Sequence, residues 1–140
     1  MDTVEMTDDN PDNSALQFEL LAANLKADQG ASGDLLEHLA KMLESSYPGG
    51  TKISRAGWFL SSKRPVEDLV VRFDDYQFQI TRNKHGSVTA RSSKLVRGVA
   101  LKNSDISMDQ CIEDILKELV KLGQNNSATR NALDKFVSGS

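Results

Sequence analysis

The chain has 140 residues, of which 39% are hydrophobic and 26% are charged, and its formal net charge at pH 7 is −3. This length is enough for one domain with a single hydrophobic core. The one cysteine, Cys111, excludes an internal disulfide framework and favours a reducing, cytoplasmic location. No apolar run approaches the roughly 20 residues that a membrane-spanning helix needs.

The charge is divided unevenly along the chain. Residues 1–51 carry a net charge of −8, residues 52–102 carry +7, and residues 103–140 carry −2. Such segregation steers charged partners even when the total is near zero, although it does not name them. Residues 1–13 are predicted to be a disordered acidic tail, because they cannot bury enough apolar surface to offset the entropy of ordering. Residues 14–140 are then predicted to form one α+β domain.

Two helices are predicted before residue 50. Ser14 is a suitable N-cap for the apolar pattern of residues 15–25, and Gly30 is well placed to terminate that helix. A second helix is expected to begin at Ser32 or Asp34 and to end before Pro48. Its apolar stripe has the three- and four-residue spacing of a helix and consists of Leu36, Leu39, Ala40 and Leu43.

The apolar period then changes from that of a helix to the two-residue period of a strand. Thr51–Ala56 is predicted to be an opening strand, and alternation of apolar and polar residues predicts strands at Leu69–Phe73, Tyr76–Thr81 and Val88–Arg91. Leu95–Lys102 is predicted to be a further strand, although both of its faces are partly apolar and its register is unclear. Short turns between these runs predict an antiparallel meander of about four strands.

Two helices are predicted at the C-terminal end. Ser107 and Gln110 form a capping-box pattern, in which each side chain satisfies a backbone N–H group of the other residue. That helix is expected to end at Gly123, and residues 127–137 are expected to form a short last helix. The order ααββββαα predicts a two-layer α+β sandwich, because a meander with one apolar face buries that face under helices.

The meander is predicted to leave one polar, net-basic face open. That face could bind an acidic protein segment or a nucleic acid backbone, or it could simply be solvated, as exposed strand positions often are. The acidic tail could also fold over it as an autoinhibitory strap. The residues that alternation sends to this face are Arg72, Gln77, Gln79, Thr81, Thr89 and Arg91.

A second candidate site is the segment from Gly57 to Pro65, which contains the only tryptophan of the chain. Trp58 and Phe59 are followed closely by Lys63 and Arg64. Tryptophan and arginine are enriched at interface hot spots, and an apolar wedge beside two cations also suits a peripheral membrane contact. Alternatively, Trp58 or Phe59 caps an open end of the core.

Catalytic and metal-binding patterns are missing from the sequence. His38 is predicted to lie on the polar side of its helix and His85 to lie in a turn, and neither has a neighbour in sequence that suits nucleophilic catalysis. Cys111 is expected to be a buried core residue. No cysteine–histidine cluster has metal-ligand spacing. The sequence therefore predicts a protein that is not an enzyme and needs no cofactor or metal.

The run Trp-Phe-Leu-Ser-Ser-Lys-Arg-Pro from Trp58 to Pro65, together with Leu95–Lys102 and the capped helix after it, resembles a set of small bacterial proteins without an assigned function. The resemblance covers the chain from the second helix onward. It implies a bacterial cytoplasmic protein and carries over no catalytic residue. The order of helices and strands is also similar to that of small bacterial secretion-chaperone-like folds.

These patterns favour a protein-binding module, an adaptor or chaperone-like factor that takes an acidic or amphipathic partner segment and could be a homodimer. The alternative is a nucleic-acid-associated protein that binds phosphates through the same face. The negative net charge and the missing aromatic stacking platform make this alternative weaker. The candidate partner-binding residues are Trp58, Phe59, Lys63, Arg64, Arg72, Arg91 and Arg97.

Overall fold

The computed structural model describes residues 16–25, 35–55, 65–83 and 87–138. Helix α1 covers residues 16–25 and α2 covers Leu35–Ser46. A short 3-10 turn, Pro48–Gly50, then leads into the sheet. The first two predicted helices are confirmed over these residues, whereas the acidic tail, Ser14 and Gly30 lie outside them.

Five strands follow in an antiparallel meander, and their order in the sheet is the order in the chain. The structure confirms the α+β class and has five strands where about four were predicted. The strands are β1 Thr51–Arg55, β2 Val66–Arg72, β3 Tyr76–Arg82, β4 Val88–Val96 and β5 Val99–Ile106.

The prediction of a single strand over Leu95–Lys102 is wrong, because this segment is a hairpin. Arg97 and Gly98 both have positive φ, 54° and 81°, and they form the two-residue turn between β4 and β5. Positive φ at both central residues is the geometry of the type I′ turn, which matches the twist of the flanking strands. Asn-Gly and Asp-Gly are the usual signals for this turn, so Arg-Gly was not recognised.

Two helices close the chain, α3 at Met108–Gly123 and α4 at Ser127–Ser138. The Ser107 hydroxyl accepts the backbone N–H of Gln110 at 3.1 Å, so the N-cap is confirmed. The reciprocal half of the capping box is absent, because the Gln110 side chain donates to Asp114 Oδ1 instead. Asn126 caps α4 by accepting the N–H of Thr129 at 3.0 Å.

The hydrophobic core lies between the sheet and the helices. Leu69 and Val71 of β2 and Phe78 and Ile80 of β3 point toward the helices and are almost fully buried. They meet leucines of all four helices, among them Leu21 and Leu25 of α1 and Leu119 of α3. The helices therefore lie on one side of the sheet, as the alternation of β2 and β3 predicted: α2 and α3 pack on the strands, and α4 packs on α2 and α3.

Within the described part of the chain, no helix is both long enough and apolar enough to cross a membrane.

Candidate interaction surface

The face of the sheet opposite the helices carries the polar side chains that were predicted to lie there. Antiparallel partners share a face, so the register places Arg72 beside Gln77, Gln79 beside Arg91, and Thr81 beside Thr89. These residues form adjacent rows across β2, β3 and β4. We call the surface the open face, and the structure confirms its predicted position.

Two carboxylates also lie on the open face, and the sequence reasoning missed both. Asp68 accepts hydrogen bonds from Gln79 Nε2 at 3.0 Å and from Thr81 Oγ1 at 2.7 Å. Asp105 pairs with Arg91 Nε at 3.4 Å. The sequence pattern could have placed Asp68 there, because it lies four residues before Arg72 in the same strand and residues an even number apart point to the same face.

The charge of the open face is therefore nearly balanced. Five charged residues of the registered strand pairs lie there, three of them basic and two acidic, which leaves a net charge of +1. The net charge of the face is positive, as predicted, but it is small. These five residues are Lys52, Asp68, Arg72, Arg91 and Asp105.

Arg72 supports the structure of the hairpin between β4 and β5. Its guanidinium donates to the carbonyl of Gly98, which holds the tip of the hairpin over the open face. Its own carbonyl accepts the Tyr47 hydroxyl at 2.6 Å. Leu95 is buried on this side of the sheet although it is not part of the main core. Arg72 therefore has a positioning role, whereas Arg91 remains half exposed beside its partner Asp105.

Of the seven predicted binding residues, Arg72, Arg91 and Arg97 lie in the described part of the chain. The connection between β1 and β2 joins the sheet at the same end as the connection between β3 and β4, while Arg97 lies in a turn at the opposite end. The first of these connections contains four of the predicted residues, and they lie outside the described residues. They are Trp58, Phe59, Lys63 and Arg64.

A hollow of about 560 Å³ lies at the end of the sheet where β3 connects to β4, and there β3, β4 and β5 approach the start of α3. Arg91, Asp105 and the α3 cap residue Ser107 contribute to its lining, together with Gln79, Thr81 and Thr89. In this hollow, hydrogen-bond donors and acceptors of the open face lie next to the exposed N-terminal end of α3. Residues distant in sequence form it, so periodicity within single strands did not indicate it.

Groups of potential chemical interest elsewhere have structural surroundings. Cys111 is buried as predicted, and burial followed by the nearby Asp114 raises the pKa of its thiol to about 12, which makes it a poor nucleophile. His38 was predicted to lie on the polar side of its helix, and its neighbours there are residues of α1 and α4. It is half-buried, with Nε2 3.3 Å from Asn24 Oδ1 and its ring edge-on to Phe136. His85 lies outside the described residues.

Among the described residues, no group of three or more histidine, cysteine, aspartate or glutamate side chains is arranged to hold a metal ion.

The chain was compared with protein-family models, curated proteins and solved structures, and none of them matches it. The resemblance to small bacterial proteins therefore stays a prediction, and a function must be argued from the residues of the chain itself.

Proposed function

We propose that the chain is a protein-binding module, an adaptor or chaperone-like factor, whose open face binds an acidic or amphipathic segment of a partner protein. The observation that carries this proposal is the position of all described helices on one face of the sheet. The opposite face of the five strands is left without a covering layer among the described residues. An interface of this kind uses many modest polar contacts around a few anchors.

The polar contacts of the open face can be exchanged for contacts with a partner. The Arg91–Asp105 pair is exposed and 3.4 Å long, and such surface pairs contribute only about 0–1 kcal/mol. A carboxylate of the partner can therefore replace Asp105 at Arg91 with little cost. A bidentate contact with this guanidinium would be stronger than the present contact through Nε alone.

The chemistry of the face favours protein over nucleic acid. Asp105 lies in the row of Arg91 and Gln79, and Asp68 lies in the adjacent row beside Thr81, where both carboxylates would repel a phosphate backbone. A protein segment can satisfy both signs, since it offers amide N–H groups as well as carboxylates. Trp58, predicted to be an interface residue, would add an apolar anchor to these polar contacts.

The first experiment is site-specific crosslinking in a lysate of the source organism. A photoreactive amino acid replaces Thr89, which is exposed on the open face, and in a control chain it replaces Glu44, which is exposed on α2. We expect a discrete crosslinked protein from position 89 only, and nuclease treatment should not remove it. Loss of the product on nuclease treatment would support the nucleic-acid alternative, and equal products from both positions would refute a specific open-face site.

The second experiment measures binding of the purified partner by calorimetry. Arg91→Glu should weaken binding at least about tenfold, the value expected for one lost charge-assisted contact. The Trp58→Ala, Lys63→Ala, Arg64→Ala triple variant should also weaken it. Lys41→Glu, an exposed control on α2, should leave binding unchanged. Unchanged binding in both the Arg91 and the triple variants would refute the proposed site.

A further inference from the structure

Two lysines lie directly opposite each other near the end of the β4–β5 hairpin. Lys94 and Lys102 are registered partners, and Tyr76 on β3 is the other neighbour of Lys94. These three residues lie on the helix side of the sheet, because the registered pair Phe78 and Ser92 on that side is two residues away along each strand. Like charges at directly opposite positions destabilise a sheet. Neither lysine forms an ion pair with a described residue, and both are exposed.

The surface around these lysines is apolar and exposed. Helix α3 packs over β3 and β4, whereas every residue of β5 from Val99 to Asp105 is exposed. Val96 and its registered partner Val99 are 43% and 60% exposed, and Leu101 is 64% exposed. Tyr76 is 39% exposed. Contiguous exposed apolar side chains are typical of interaction sites.

Carboxylates lie on the other side of Tyr76. Asp74 and Asp75 form the turn that precedes β3, and Asp114 and Glu118 of α3 line a hollow of about 260 Å³ together with Tyr76 and Ser92. Lys117 also lines this hollow, and its ammonium pairs with Glu113 at 3.1 Å. Burial raises the pKa of Glu118, and Asp75, Asp114 and Asp74 raise it further, against the lowering effect of Lys121. The three aspartates therefore act on Glu118, and together they make this side of Tyr76 acidic.

The charges form a strip across the end of the sheet. It runs from the acidic group at the β2–β3 turn and α3, through Tyr76, to the Lys94–Lys102 pair at the β5 edge. Tyr76 and Lys102 lie two strand spacings apart, about 10 Å. Two copies could face each other across a two-fold axis that lies in the contact plane and runs perpendicular to this strip. The rotation reverses the strip of the second copy, so the lysine pair of each copy faces the acidic group of the other.

We infer that a second copy of this chain binds the β4–β5 end of the sheet, forming a homodimer in which Lys94 and Lys102 of each copy face the acidic group Asp74, Asp75, Asp114 and Glu118 of the other. This contact lowers the repulsion between the two lysines and among the carboxylates. It also buries Tyr76, Val96 and Val99. The inference goes beyond the proposed function, since the open face stays free in both copies.

The experiment is a charge exchange followed by analytical ultracentrifugation at 1 to 100 µM. The wild type should shift from 15.4 kDa toward twice that mass as its concentration rises. Lys94→Glu/Lys102→Glu places carboxylates opposite carboxylates, and Asp74→Lys/Asp75→Lys cancels the net charge of the acidic group, so each variant should weaken self-association at least about tenfold. An equimolar mixture of the two variants should regain part of the dimer, since one contact of the heterodimer is then the wild-type contact and the other is no longer repulsive.

Matched control variants test whether the loss of association is specific to this interface. Lys41→Glu/Lys52→Glu changes the net charge equally but lies on α2 and on β1, the opposite edge of the sheet, and it should leave the dimer unchanged. Circular dichroism checks that each variant is folded, and Asp114→Lys on α3 replaces the turn variant if that variant unfolds. Association should weaken as salt is raised from 0.05 to 0.5 M.

A wild type that stays monomeric at 100 µM would overturn the inference, as would a dimer that persists in both charge-reversed variants. Failure of the mixture to recover the dimer would also overturn it. A monomer that becomes dimeric only after residues 1–13 are removed would show that the acidic segment of the chain itself occupies the surface, which likewise refutes a second copy as the occupant. None of these results bears on the open face, which the Thr89 crosslink tests separately.

Discussion

Replacement of Gly98 by alanine is expected to destabilise the β4–β5 hairpin by a backbone effect alone. Gly98 has a φ of 81°, and a Cβ built there would lie 3.5 Å from Arg72 Nη2, which is ordinary van der Waals contact. Space is therefore available, and the cost comes from the left-handed conformation, which an L-residue adopts at a penalty of about 1–2 kcal/mol. Urea unfolding with a slope of about 2 kcal/mol/M should show a midpoint lower by roughly 0.5–1 M.

The neighbouring residue provides a control of opposite sign. Arg97 has a φ of 54°, and asparagine tolerates this conformation better than arginine. Arg97→Asn should raise the free energy of unfolding by about 0.5–1 kcal/mol, measured at the same chain concentration. A Gly98→Ala variant as stable as the wild type, or a destabilised Arg97→Asn variant, would contradict the assignment of this turn and of the β5 register.

Three further predictions concern groups that are partly or fully buried. The folded state raises the pKa of Glu118 above its ordinary value of 4.5, so the free energy of unfolding should fall as the pH rises from 4.5 through the raised pKa. Glu118→Gln should make the melting temperature depend less on pH in thermal scans from pH 4 to 8. Cys111, with a pKa of about 12, should react with a thiol reagent at pH 8 roughly a thousandfold more slowly in the folded protein than in urea, and comparable rates would contradict its burial. The Thr129 hydroxyl donates to the buried carbonyl of Ser46 at 2.8 Å, so Thr129→Val should lower the free energy of unfolding by about 1–3 kcal/mol in urea titrations, whereas Thr129→Ser keeps the donor and should cost less.

Local patterns predicted most of the secondary structure because each rests on short-range physics. The alternation of Leu69, Val71 and Phe73 specifies a strand with one buried face, and the Ser107 hydroxyl caps the helix that follows it in sequence. The turn at Arg97–Gly98 was missed for the same reason. Its positive φ values are imposed by the pairing of β4 with β5, while the arginine side chain gives no local indication of them.

The sequence by itself determined the α+β class, the helix-covered face and the polar residues of the open face, because alternation assigns each strand residue to one side of the sheet. Only the tertiary structure decided which charges meet. Asp105 joins Arg91 and Lys102 opposes Lys94 through the register between two strands, and Asp74 approaches Glu118 because α3 folds back across the sheet. Register and helix placement depend on the packing of the whole core, so no single segment contains that information.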